Sequence, residues 1–136
     1  INSRQHHKHA YYLIKNSDLS GFTADEIDLI ANIARYHRRA VPHRKHDEYI
    51  ALPEGTQRIV RVLSALLRIA DGLDRSQFSV VQSVDVTLGQ TVIMTLQVSG
   101  DAELEIWAAR GRSDLFEAVF KRPVQFMVTS QEPDAT

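Results

Sequence analysis

Apolar residues recur at two different periods along this chain, and the change of period divides it. In residues 5–16, Ala10, Leu13 and Ile14 form an apolar stripe closed by Asn16-Ser17-Asp18 and Ser20-Gly21, which predicts a first helix. Thr23-Ala24-Asp25-Glu26 has the pattern of a capping box, in which the threonine hydroxyl accepts from the Glu26 backbone N–H and the glutamate reaches back. Ile27, Ile30, Ala34 and His37 follow at helical spacing, so a second helix is expected to run to about Arg39, because Pro42 cannot continue it. Residues 43–53 read as an irregular polar loop. Thr56 to about Asp74 predicts the longest helix. Ile59, Leu63, Leu66, Ala70 and Leu73 lie on one stripe, and Val60, Val62 and Leu67 widen it. So broad an apolar circumference predicts a central helix packed on two sides.

After Gln77 the period drops to two. Val80, Val84, Val86 and Leu88 alternate with polar residues, Gly89-Gln90 turns the chain, and Val92, Met94, Leu96 and Val98 alternate again. This predicts a β-hairpin. Leu104, Ile106 and Ala108 suggest a third strand. Leu115, Phe116, Val119 and Phe120 suggest a short amphipathic helix from about Arg112, and Val124, Phe126 and Val128 a last strand. Trp107, Phe116 and Phe120 are expected in the core of so small a sheet. The expected fold class is therefore α+β. A helical domain over residues 1–77 precedes a small antiparallel sheet with one helix over 78–130, of ββ(β)αβ type, and 131–136 form a polar tail.

Composition narrows the class. At 43% hydrophobic and 24% charged residues the chain has the balance of a globular protein, which excludes collagen-like and disordered types. No apolar run is long enough for a membrane helix, and no membrane partner is expected. The absence of cysteine excludes disulfides, thiolate metal sites and a cysteine nucleophile. The chain opens on Ile1 without a signal-peptide core, which reads as the C-terminal part of a longer, cytoplasmic protein.

A net charge of −1 conceals an asymmetry. Residues 1–47 hold eight Lys or Arg against five Asp or Glu, together with all six histidines; the remainder holds eight against twelve. The basic excess peaks between Arg35 and His46, with Arg35, Arg38, Arg39, Arg44, Lys45, three histidines and no acid. Such a segment attracts phosphates, polyanions or an acidic protein face. It equally suits a solvated helix end whose cations favour the C-terminal dipole.

His6, His7 and His9 fall within one helical turn, His37 lies on the apolar stripe of the second helix, and Asp71 ends the most apolar helix. Histidines and an aspartate from successive helices would suit a divalent metal with open positions. The same residues are also compatible with a hydrogen-bonded core histidine and with Asp71 paired to Arg68 or Arg75.

Several segments carry a family resemblance. They are His6-His7-Lys8-His9-Ala10-Tyr11-Tyr12-Leu13-Ile14, Gly21-Phe22-Thr23, Ala34-Arg35-Tyr36-His37-Arg38-Arg39-Ala40 and Arg68-Ile69-Ala70-Asp71-Gly72-Leu73-Asp74-Arg75-Ser76. Together with Leu104-Glu105-Ile106-Trp107 and Leu115-Phe116-Glu117 they resemble the C-terminal region of the exopolyphosphatase / guanosine pentaphosphate phosphatase family, to about residue 129. The resemblance implies catalysis by N-terminal actin-like domains outside this sequence. Those domains bind Mg²⁺ and release terminal phosphate from polyphosphate or guanosine pentaphosphate. It also implies that the helical part is similar to the HD phosphohydrolase fold. On that analogy His9, His37 and Asp71 stand where metal ligands could sit, with the His-Asp doublet expected just before Ile1.

Three functions follow as expectations. The first is a polyphosphate-binding, regulatory and dimerising module, with Arg35, Arg38, Arg39, Arg44 and Lys45 as the phosphate track and no cofactor of its own. Its partners would be its own N-terminal catalytic domains, inorganic polyphosphate and a second copy. The second is an HD-type metal-dependent phosphohydrolase, and the third a ligand-free assembly domain. Nucleic acid is not expected as a partner, since no stacking platform stands out beside the basic residues.

Overall fold

The computed structural model describes residues 6–17, 19–37 and 40–130. The expected polar tail, 131–136, lies outside them, as do Arg38 and Arg39. Among the described residues the fold is α+β, with six helices and one three-stranded sheet. The chain divides into two compact units, residues 1–68 and 69–136.

The first unit opens with α1 (His6–Lys15) and α2 (Ala24–Arg35). The capping box forms as its spacing predicts. Glu26 N–H donates to Thr23 Oγ1 at 3.2 Å, and Thr23 N–H donates to Glu26 Oε1 at 3.0 Å. Hydrogen bonding of the Glu26 carboxyl to Thr23, from its backbone first and then its side chain, holds that carboxyl below its ordinary pKa. An ion pair between Lys15 and Asp28 ties α1 to α2.

Helix α2 stops at Arg35, short of the expected Arg39. Tertiary bonding, rather than Pro42, ends it. The Tyr36 side chain is fully buried, and its N–H turns back to Ile33 O at 3.1 Å. The Tyr36 carbonyl accepts from Arg68 Nη1 at 3.4 Å, and that same nitrogen donates to Ala40 O at 3.0 Å. One buried guanidinium thus satisfies two carbonyls beyond the helix end.

The expected polar loop contains a short helix, α3 (Asp47–Ile50), anchored by the buried Tyr49. A single turn with one inward residue gives no period to read. Tyr36, Tyr49 and Val60 form the core here, with Leu29, Ile33, Ala40 and Leu52 against it. Helix α4 (Glu54–Leu73) starts in this unit and buries Val60, Ser64, Ala65 and Arg68. Ile59, Leu63, Leu66 and Leu67 on its other face are 39–46% exposed, so the expected two-sided packing is one-sided.

In the second unit β1 (Val81–Thr87) and β2 (Val92–Val98) make the expected antiparallel hairpin, with Val84 opposite Leu96 and Val86 opposite Met94. The supposed third strand at 104–108 is instead helix α5 (Glu103–Gly111), followed by α6 (Asp114–Phe120). The alternation of Leu104, Ile106 and Ala108 is coincidental. The inward positions are Ala102, Glu105, Ala108 and Ala109, at helical intervals, in a segment rich in the good helix formers Ala, Glu, Leu and Arg. Strand β3 (Val124–Ser130) then pairs parallel with β2, Phe126 beside Met94, so the sheet is mixed rather than antiparallel and carries two helices rather than one. A parallel return needs a crossover, and α5 and α6 are that crossover.

Central β2 buries Val92, Met94, Leu96 and Val98, while Leu115 and Phe116 of α6 are buried as expected of core residues. Trp107 is not in the core: it is 70% exposed, and Phe120 is 38% exposed. Gly72, near the end of α4, lies so close to α5 that a Cβ there would stand 2.9 Å from the Ala109 backbone. Backbone cannot yield as a flexible side chain does. Gly72→Ala is therefore expected to destabilise the chain by about 2 kcal/mol, read as a lower thermal midpoint, whereas Gly55→Ala, in open space, should not lower it.

Candidate functional site: a basic segment on a buried frame

The segment from Arg35 to His46 is the most cationic of the chain, and the first unit builds a frame that holds its described residues. Tyr36 is the centre of that frame. Its ring stacks on His46 with centroids 5.5 Å apart and meets Tyr49 edge-on at 6.2 Å. Its hydroxyl and His46 Nδ1 are hydrogen-bonded at 2.7 Å. Burial pushes the Tyr36 phenol up to about 12, against an opposing pull from Arg35, so it is protonated at neutral pH.

Arg35 belongs to the frame and is not an open phosphate ligand. Its side chain is buried, its Nη1 donates to Glu48 Oε2 at 3.0 Å, and its guanidinium lies 5.5 Å from the Tyr36 ring centre. Its Nε, also buried, has no hydrogen-bond partner among the described residues. A bond from its own backbone, then the Arg35 contact, hold the Glu48 carboxyl below its ordinary value. Arg44 and Lys45, by contrast, are exposed, and the Lys45 N–H donates to His43 Nδ1 at 3.1 Å, closing the turn that presents them.

Beside this turn opens a cleft of about 460 Å³ whose lining includes Lys8, Tyr11, Tyr12, Arg35, Lys45 and Glu48. Three cations line it, but Arg35 is already neutralised by Glu48, so Lys8 and Lys45 supply its attraction for anions, with Asp47 opposing. Burial raises the Tyr11 phenol above its ordinary value, with Lys15 opposing. The sequence reading missed Lys8, Tyr11 and Tyr12. Their signal was a second stripe, Lys8-Tyr11-Tyr12-Lys15, at helical spacing beside the apolar one.

The expected metal ligands are placed as follows. His9 is half-buried in α1. His37 follows α2, its Nδ1 hydrogen-bonded to Ala34 O. Asp71, in the second unit, is ion-paired with Arg112. No group of three His, Asp or Glu side chains among the described residues forms a set that could hold a metal ion. Also among the described residues, no helix is long and apolar enough to cross a membrane.

Fold and site together define an α+β domain whose helical unit carries a cationic segment on an aromatic frame. Comparison with protein families gives this class its place: residues 1–105 match the family described as Ppx/GppA phosphatase, domain III, and the chain belongs to that family. The match covers the whole helical unit, the hairpin and the start of α5.

Two pH effects follow. Below the ordinary tyrosine value of 10.0 the Tyr36 phenol is protonated whether the chain is folded or not, so it leaves stability unchanged there. Between 10.0 and about 12 only the unfolded chain ionises, and stability falls. An ultraviolet titration should show a late phenolate step that Tyr36→Phe removes. Glu48 acts at the other end. Its lowered pKa contributes stability above the carboxylate range that is lost as pH falls through its folded value, so thermal midpoints of Glu48→Gln should depend less on acid than those of the wild type.

Proposed function

We propose that this chain is the C-terminal polyphosphate-holding module of an exopolyphosphatase-type protein, acting on chains whose ends are cut by other domains of the same protein. The observation that carries the reading is the exposed pair Arg44 and Lys45, set beside the cleft that Lys8 lines and based on a buried, hydrogen-bonded frame. Polyphosphate bears about one negative charge per phosphate. Cations fixed in a turn meet such a chain with less entropy cost than cations on a loose loop. Arginine adds forked hydrogen bonds to phosphate oxygens. Arg38 and Arg39 extend the proposed track in sequence; Arg35 serves it by anchoring Glu48. Holding the chain away from the cutting site raises its effective concentration there, which is the regulatory part of the proposal.

Homodimerisation is the assembly part. It is supported by the exposed apolar stripe Ile59, Leu63, Leu66 and Leu67 on α4, which leaves apolar surface to be covered by a second copy. The proposed setting is the cytoplasm, and the Mg²⁺ of the whole protein's reaction belongs to the cutting domains.

Titration calorimetry with long-chain inorganic polyphosphate tests the holding role. The double variant Arg44→Glu/Lys45→Glu should weaken binding about tenfold or more, a loss of about 1.4 kcal/mol. An unchanged affinity would remove the proposed track. Sedimentation tests the assembly role: the wild type should be a dimer and Leu63→Glu a monomer, and a monomeric wild type would refute it.

A further inference from the structure

The second unit carries an aromatic and cationic site of its own. Helix α5 turns Glu105, Ala108 and Ala109 inward and leaves Trp107 on its outward side, 70% exposed. Burying an indole is worth about 2–3 kcal/mol, so a lone exposed tryptophan forgoes a large stabilisation unless something covers it. Arg110 stands three positions on, a neighbour on the same helix face.

Together with Arg75, Ala108, Gly111 and Arg112 these two line an open cleft of about 600 Å³. Every charged group lining it is a guanidinium. Arg112 is committed to Asp71. Among the described residues Arg75 and Arg110 have no side-chain hydrogen bond or ion pair. Two positive charges are therefore available beside one bare aromatic face, over a floor kept low by an alanine and a glycine. A second cleft, of about 510 Å³, shares Trp107 and Arg110 with the first but is also lined by Asp101 and Glu103. Its carboxylates repel phosphate and direct an anion to the first cleft.

We infer that the cleft between Arg75 and Arg110 binds a nucleoside phosphate, with the base on the Trp107 indole and the phosphate oxygens on the two arginines. Each half of the site selects for one half of that ligand. Inorganic phosphate engages the guanidinium forks and leaves the indole bare. A nucleoside covers the indole and leaves the arginines unpaired. Only a molecule with a flat ring and an anionic group satisfies both. A single-stranded nucleic acid is disfavoured by the surroundings. Residues 69–130 hold five Lys or Arg against eight Asp or Glu, seven of which are not buried, so the phosphates beyond the cleft would meet more carboxylates than cations. A mononucleotide reaches no further than the arginines.

The test has a built-in reporter, because Trp107 is the only tryptophan of the chain. Adenosine diphosphate should quench its fluorescence saturably. Adenosine and inorganic pyrophosphate should each bind about tenfold more weakly or worse. Arg75→Glu and Arg110→Glu should each weaken the diphosphate by about tenfold while circular dichroism shows the fold intact. Arg44→Glu/Lys45→Glu should leave the quenching unchanged, which separates this site from the polyphosphate track. In calorimetry Trp107→Leu should lose binding. Absence of saturable quenching at millimolar diphosphate would overturn the inference. So would pyrophosphate binding as tightly as the nucleotide, or an oligoadenylate binding more tightly than the mononucleotide.

Discussion

The basic turn of the first unit rests on one buried cation. The Arg68 side chain, 4% exposed, donates from a single nitrogen to the carbonyls of Tyr36 and Ala40. A helix leaves its last carbonyls without intrahelical donors, and burying them unpaired costs about 1–3 kcal/mol each. The bond from Arg68 permits α2 to stop at Arg35 and Tyr36 to turn inward. Tyr36 in turn orders His46 and Tyr49, and with them the turn carrying Arg44 and Lys45. A cationic stretch in a floppy loop would be merely a local concentration of charge. Here the turn carrying Arg44 and Lys45 becomes a fixed arrangement, because the buried Arg68 holds Ala40 before it and the buried Tyr36 phenol holds His46 after it.

The two units therefore differ in how they meet anions. The first presents lysine and arginine from a structured turn and keeps Arg35 inside, neutralised by Glu48. The second is acidic in sequence, and three of its five cations, Arg75, Arg110 and Arg112, line one cleft beside Trp107. On the two proposals, electrostatics would separate long from short phosphate ligands before any specific contact is made. The basic first part of the sequence would favour a polyanion, and the acidic second part would admit only a compact one.

Much of this was legible before folding. The Thr23–Glu26 capping box and the alternating valines of the hairpin are local signals, and local signals survive into the structure. The basic segment was visible as charge, but its internal division was not. That Arg35 is inside and Arg44 outside depends on Glu48, thirteen residues away from Arg35, and on the burial of Tyr36. The parallel pairing of β3 was hidden for the same reason, since it is made with a strand two helices back. Residues 104–108 misled because three apolar residues at alternate positions mimic a strand, while the inward residues of the helix are mostly small alanines with little hydrophobic signal. Trp107 misled by its size. Bulk predicts burial on average, and a residue that departs from the average is where a ligand or partner is to be sought.

The central claim is that phosphate chains are held by fixed cations of the first unit. Its most direct measurement is the salt dependence of polyphosphate affinity for the intact chain. Each engaged cation releases a counterion, so the logarithm of affinity should fall linearly with the logarithm of salt concentration, with a slope of about −2 or steeper. Reversing the charge of Lys8 should make that slope shallower. A slope near zero, or a slope indifferent to Lys8, would contradict the account.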